Sequence, residues 1–160
     1  MEYFKQKYGE EKGYEKYNNF SKARLFSSGT YSIISQKIFD SISKKLENVT
    51  IYYGENEYFF YDKSKSIYYL IDFYIKELNF GIEFQGDLWH ANPQKYTEDD
   101  IPIKFDKNMM KAKEIWERDR IKQEFLRTKL SKLIIIWESD LVKRGLASIT
   151  NEILAEINKI

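Results

Sequence analysis

The chain has 160 residues, 42% of them hydrophobic and 17% aromatic, which is enough for one folded domain and too few for two large ones. The absence of cysteine excludes disulfides, thiolate zinc sites and thiol redox chemistry, and it suits an intracellular, cytoplasmic setting. The charged N-terminal stretch contains no apolar leader, and no run of about 18 apolar residues occurs, so neither a signal peptide nor a membrane span is expected. The net charge of +1 is uninformative, but its distribution is not. Residues 104–132 hold ten lysines and arginines against five acids, whereas residues 47–62 are acidic. A basic face on a near-neutral protein fits a polyanionic partner, and equally an ordinary solvated helix face.

Residues 2–26 read as a polar helical arm, interrupted at Gly9 and Gly13 and dotted with Tyr3, Phe4, Tyr8, Tyr14, Tyr17 and Phe20. After a loop at 27–30, the spacing of Ile34, Ile38, Ile42 and Leu46 predicts an amphipathic helix capped by Thr30 or Ser32 and ended near Asn48. This divides the chain into an arm at 1–29 and a main domain at 30–160. From Val49 the period changes to alternation. Two short aromatic strands, 50–53 and 58–61, flank Gly54-Glu55-Asn56, and longer strands are predicted at 67–75 and 80–85. The connection at 76–79 is short enough for a hairpin. If its turn centres between Glu77 and Leu78, Asp72 falls opposite Glu83. Asp72, Glu83 and Gln85 then share one face, with Ile71, Phe73, Ile82 and Phe84 on the other. A slip of one residue would separate the two carboxylates.

Residues 92–102 form a loop with the acidic centre Glu98-Asp99-Asp100. A long helix is predicted from about Asp106 to Leu130, then a nearly continuous apolar strand at 132–137, buried on both faces. A last helix runs from about Leu146 to Asn158 on Ile149, Ile153, Leu154 and Ile157. The order is helix, three or four strands, helix, strand, helix, which predicts an α/β domain with a mixed sheet.

Three residues stand out chemically. Asp72 interrupts an otherwise apolar strand, where an unpaired carboxylate is costly. Two carboxylates on one sheet face repel unless a cation lies between them, and oxygen ligands suit Mg²⁺ or Mn²⁺. Asp72 with Glu83 and Gln85 is therefore a candidate metal site; a surface or salt-bridged Asp72 is the plainer alternative. His90 is the only histidine, and it closely follows that strand, so it is a candidate general base. Asp119 could orient its ring, or could pair on the helix surface with Lys122.

The segments Gly86-Asp87-Leu88-Trp89-His90-Ala91-Asn92-Pro93, WERDRIKQEFL at 116–126 and LIIIWESDL at 133–141 together resemble the very-short-patch-repair (Vsr-like) endonucleases. They are still more similar to phage-type mobile, or homing, endonucleases with the same E-D-x-H-D nuclease domain, a group within the PD-(D/E)XK nuclease superfamily. The resemblance covers about Ser32 to Asp140. It implies a three-layer restriction-endonuclease-like α/β fold, with a mixed central sheet of about four strands flanked by helices, and metal-dependent hydrolysis of phosphodiesters in double-stranded DNA.

By position, the resemblance implies Asp72 as metal ligand, His90 as base or water-positioning group and Asp119 as its acidic support. Glu83 and the backbone carbonyl of Phe84 would complete a Mg²⁺ or Mn²⁺ site beside Gln85. Trp89 matches an aromatic position that can wedge against bases, with a core role as the alternative. Lys111, Lys113, Arg118, Arg120 and Lys122 would contact phosphates. The family's acid on the early helix falls near Gln36, where an amide cannot supply charge. The repair enzymes' thiolate zinc cannot form here, which favours the homing branch over mismatch repair. The competing expectations are a nicking repair or restriction-type nuclease, a catalytically weakened nucleic-acid-binding protein on the same fold, and a protein-interaction module. Monomer and homodimer stay equally open.

Overall fold

The computed structural model describes Gly9, Lys12, residues 32–103 and residues 109–160. The chain divides into two compact units, Met1–Ser32 and Ile33–Ile160. The predicted arm at 2–26, the loop at 27–30 and the Thr30 cap lie outside the described residues, apart from Gly9 and Lys12. The predicted start of the long helix near Asp106 also falls outside them, but residues 109–111 are not helical and the helix is shorter than expected, from Ala112 to Arg127.

The second unit is an α/β domain. Its elements are α1 (Ile33–Ser43), β1 (Ile51–Asp62), β2 (Ile67–Ile75), β3 (Phe80–Gln85), α2 (Ala112–Arg127), β4 (Lys132–Trp137), α3 (Glu138–Arg144) and α4 (Leu146–Ile157). The four strands form one mixed sheet in the order β1-β2-β3-β4. The first two pairings are antiparallel and β3–β4 is parallel, as expected of strands joined by a crossover through α2. Among the described residues no helix is long and apolar enough to cross a membrane.

Alternation along the strands produces two apolar layers. On one face Phe73, Ile75, Phe80, Ile82, Phe84 and Ile136 pack against Ile38, Phe39 and Ile42 of α1 and Ile149, Ile153 and Ile157 of α4. On the other, Ile71 and Tyr74 pack with Leu126 and Leu130, at and just beyond the end of α2. Each side chain fully buried in this way contributes roughly 1.5–3 kcal/mol. The result is helices, sheet, helix in three layers.

The β2–β3 hairpin follows the predicted register, pairing Phe73 with Ile82, Tyr74 with Gly81 and Ile75 with Phe80. The ladder stops one step short of Asp72 and Glu83. There the side chain of Asp72 takes over: its Oδ2 accepts the Phe84 backbone N–H at 2.8 Å.

Four other expectations need correction. The two short aromatic strands are one strand, β1, broken in register between Tyr53 and Tyr58, with Gly54 at φ +58° turning the chain outward. Ile71 lies on the α2 side rather than with Phe73, because β2 loses its alternation opposite this bulge. The early helix ends at Ser43, ahead of Leu46, and Ile34 at its start is exposed. Finally, β4 is an edge strand in which only Ile136 is buried, while β3 is buried throughout. An apolar run cannot reveal which strand has neighbours on both sides. The short helix α3 was not anticipated.

Gly81 is a tight point. A Cβ there would overlap the Cδ1 of Ile71 and stand 2.7 Å from the Cδ1 of Leu130, both in the α2-side core. Gly81→Ala is expected to destabilise the domain by about 1–2 kcal/mol, overpacking outweighing the smaller loss of unfolded-state entropy. Urea denaturation should show a lowered midpoint with an unchanged slope.

Candidate active site

Beyond β3 the chain turns back on itself. His90 N–H donates to the Gly86 carbonyl at 3.0 Å and Asn92 N–H to the Asp87 carbonyl at 2.8 Å. Two buried polar side chains fix this loop. Asn92, 2% exposed, donates from Nδ2 to Asp87 Oδ1 at 2.6 Å and to Ser139 Oγ at 3.0 Å. Asp87 Oδ2 lies 2.6 Å from Lys95 Nζ, and the Asp87 N–H donates to Glu138 Oε2 at 3.1 Å. Burial alone would raise the Asp87 carboxyl, but the bonds from Lys95, Asn92 and Ser139 hold it below the usual range. Ala91, at φ +49°, offers its carbonyl to Trp116 Nε1 at 2.6 Å, which ties the loop to α2. These scaffold residues escaped the sequence reading, although an Asp and an Asn bracketing a short loop were a legible signal. Trp89 is 54% exposed and so is not a core residue.

The loop delivers His90 to α2, where its Nδ1 lies 2.6 Å from Asp119 Oδ2. A carboxylate only accepts, so in the neutral ring Nδ1 carries the proton and Nε2 keeps its lone pair. Asp119 is in turn held by the Arg118 guanidinium, with Nε at 3.0 Å from its Oδ1. His90 and Asp119 line an open cavity of about 320 Å³, together with Gln85, Trp116, Arg120, Gln123 and Trp137. The Asp119–Lys122 pair considered as the alternative does not form. Lys122 turns inward, and its Nζ lies 2.6 Å from Glu83 Oε2.

The second half of the site surrounds that lysine. Glu83 is 3% exposed, and its Oε1 is buried without a hydrogen-bond partner among the described residues. Burial first, then the Asp72 charge, push the Glu83 carboxyl up to about 8, against the pull of Lys122. Burial opposes the charged form of Lys122 too, but Glu83 and Asp72 outweigh it and raise its pKa. A further carboxyl, missed in the sequence, comes from the β1 bulge: Glu57, which burial and Asp72 also raise to about 8. Three carboxyls thus lie within electrostatic reach of one ammonium, which bonds Glu83 directly.

Gln36 lies against the same bulge, its amide filling the space where a Gly54 side chain would stand. Phe84 belongs to the site through its backbone. In an extended strand the N–H and C=O of one residue point to the same edge, and the Phe84 N–H faces Asp72. Among the described residues, no three His, Asp or Glu side chains are arranged as a ready-made metal site. The unpartnered Glu83 oxygen and the all-oxygen donor set nonetheless suit a hard cation.

The structure thus brings Asp72, Glu83, Phe84 and Lys122 together, and His90 with Asp119 and Gln85. Asp119 and Lys122 are three residues apart on α2 and interact electrostatically, so the two groups adjoin. The other basic candidates are exposed and paired. Lys111 and Lys113 both bind Asp99, at 2.9 and 3.2 Å, and Arg120 bridges Glu117 and Glu124. Comparison with family models, curated proteins and solved structures returns no match.

Proposed function

We propose that this protein is a metal-dependent endonuclease of the Vsr-like, homing type, acting on double-stranded DNA in the cytoplasm of a phage host or mobile-element carrier. The observation that carries this reading is the junction on α2. One turn of that helix supports a histidine with a free Nε2 and also reaches a buried, charge-dense carboxylate pair. A Mg²⁺ or Mn²⁺ ion would be held by Asp72, Glu83 and the Phe84 carbonyl, and would stabilise the negative charge that builds on the phosphate during attack.

The chain's own residues supply the rest. His90 Nε2 takes the proton from the attacking water as its oxygen bonds to phosphorus and the P–O3′ bond breaks. The leaving 3′ oxygen takes a proton from a second water, and Asp119 stabilises the imidazolium formed on His90. Lys111, Lys113, Arg118 and Arg120 exchange their acidic partners for backbone phosphates, which makes binding weaken as salt rises. The Trp89 indole, which is exposed, would contact bases.

A second reading, a nucleic-acid-binding protein that does not cut, is favoured by Lys122 lying on Glu83 and by the amide at Gln36. Supercoiled plasmid incubated with the protein and Mg²⁺ or Mn²⁺ decides between them. Nicked or linear product, abolished by EDTA, is expected. Binding without cutting under either metal would establish the second reading. Neither binding nor cutting would point to a protein-interaction module.

A further inference from the structure

We infer that the cavity beside His90 is a nucleobase pocket, in which the side-chain amides of Gln85 and Gln123 read the edge of a base swung out of the duplex next to the phosphate on which His90 acts. The pocket rests on the nucleic-acid reading above and adds to it the part of the substrate held there.

The topology places it. Gln85 and Trp137 are the last residues of β3 and β4 and pair in the parallel register, so their side chains leave the same face of the sheet. Trp116 and Gln123 stand about two turns apart on α2 and line the same cavity from the helix side. A crevice at the carboxyl ends of parallel strands is where open α/β sheets take their ligands.

The polar groups decide what fits. Gln85 is 4% exposed and lines the cavity, yet its amide makes no hydrogen bond among the described residues. The Gln123 amide is likewise unbonded there. The charged groups of the lining are already engaged: Asp119 holds His90 and Arg118, and Arg120 bridges Glu117 and Glu124. A neutral ring with donors and acceptors along its edge satisfies two amides without needing a counter-charge. The Trp116 and Trp137 indoles supply the aromatic lining against which such a ring packs. At about 320 Å³ the cavity is at the small end for ligand sites, the size for one base. A base stacked within a duplex cannot enter a slot between a helix and a sheet, so the base that fits is an extruded one.

The test titrates the four deoxynucleosides, which carry no phosphate, into the whole ¹⁵N-labelled chain and follows the imidazole signals of its single histidine on the cavity wall. At least one nucleoside is expected to shift them saturably, in the millimolar range. Gln85→Leu and Gln123→Leu should each weaken that binding by about 10-fold. Asn151→Leu, which removes an exposed amide from α4 on the other face of the sheet, should leave it within about twofold of wild type. Gln85→Leu should melt no lower than wild type, because an unbonded buried amide gives way to an apolar group of similar shape.

No shift with any nucleoside up to about 10 mM would overturn the pocket, even if the protein cuts plasmid. Equal shifts with inorganic phosphate would overturn it in favour of a phosphate site. Wild-type affinity in both glutamine variants, or equal weakening in Asn151→Leu, would overturn the role of the amides. Base binding that depends on Gln85 and Gln123, in a protein that cuts no plasmid, would uphold the pocket and remove the nuclease reading instead.

Discussion

Asp72→Asn is expected to lower metal-dependent plasmid cleavage by about 10³-fold, equivalent to about 4 kcal/mol of lost transition-state stabilisation. The substitution is nearly isosteric, and the amide oxygen can still accept the Phe84 N–H that Asp72 Oδ2 accepts at 2.8 Å. The hairpin should therefore keep its geometry. It also removes one acid from a group in which Asp72 raises both Glu57 and Glu83, so like-charge repulsion falls. The variant should melt no lower than wild type. A single-turnover cleavage assay and a melting curve on the same preparation separate loss of chemistry from loss of fold. Cleavage within tenfold of wild type would remove Asp72 from the mechanism.

His90→Ala should cost about 10²–10⁴-fold in the same assay, the usual contribution of a positioned base. Asp119→Ala should cost less, because it leaves the imidazole in place and removes only the carboxylate that orients it and stabilises the imidazolium. Here the composition helps, since the chain has one histidine. In ¹⁵N-labelled protein the histidine signals come from His90 alone. Wild type should show the Nδ1–H tautomer that the 2.6 Å contact to Asp119 Oδ2 demands. Asp119→Ala should lose that preference. A wild-type ring already protonated at Nε2 rather than Nδ1 would sink the assignment of Nε2 as the base.

Strand alternation made β2 and β3 readable, with ends that match those predicted. The length of the 76–79 connection narrowed their pairing to a few registers, and the one that centres the turn between Glu77 and Leu78 is the one observed. Asp72 was visible as an acid in an apolar strand. The partnership of His90 with Asp119 was one of two options read from the residues, and the family resemblance selected it, since nothing in the spacing of two residues so far apart dictates contact.

What stayed hidden depended on tertiary irregularity. Glu57 looks like any acid in a polar turn until the β1 bulge sets it opposite Asp72. Lys122 looks like a surface lysine on an amphipathic helix, and only the packing of α2 across β3 shows that it points inward to Glu83. The apolar run of β4 could not disclose that it lies at an edge. The four basic residues around Asp99 and Glu117 read as free charge in the sequence, whereas each is already engaged by an acid.

The bonded loop from Gly86 to Asn92 bears on the thermodynamics of recognition. Its backbone is closed by three internal hydrogen bonds and pinned by Asp87, Asn92 and Ser139 before any ligand arrives. Ordering such a segment costs on the order of 10 kcal/mol of conformational entropy, and here that cost falls on folding instead of association. A ligand entering the His90 cavity meets a rigid wall, so contact energy there appears as affinity without a deduction for arranging the loop.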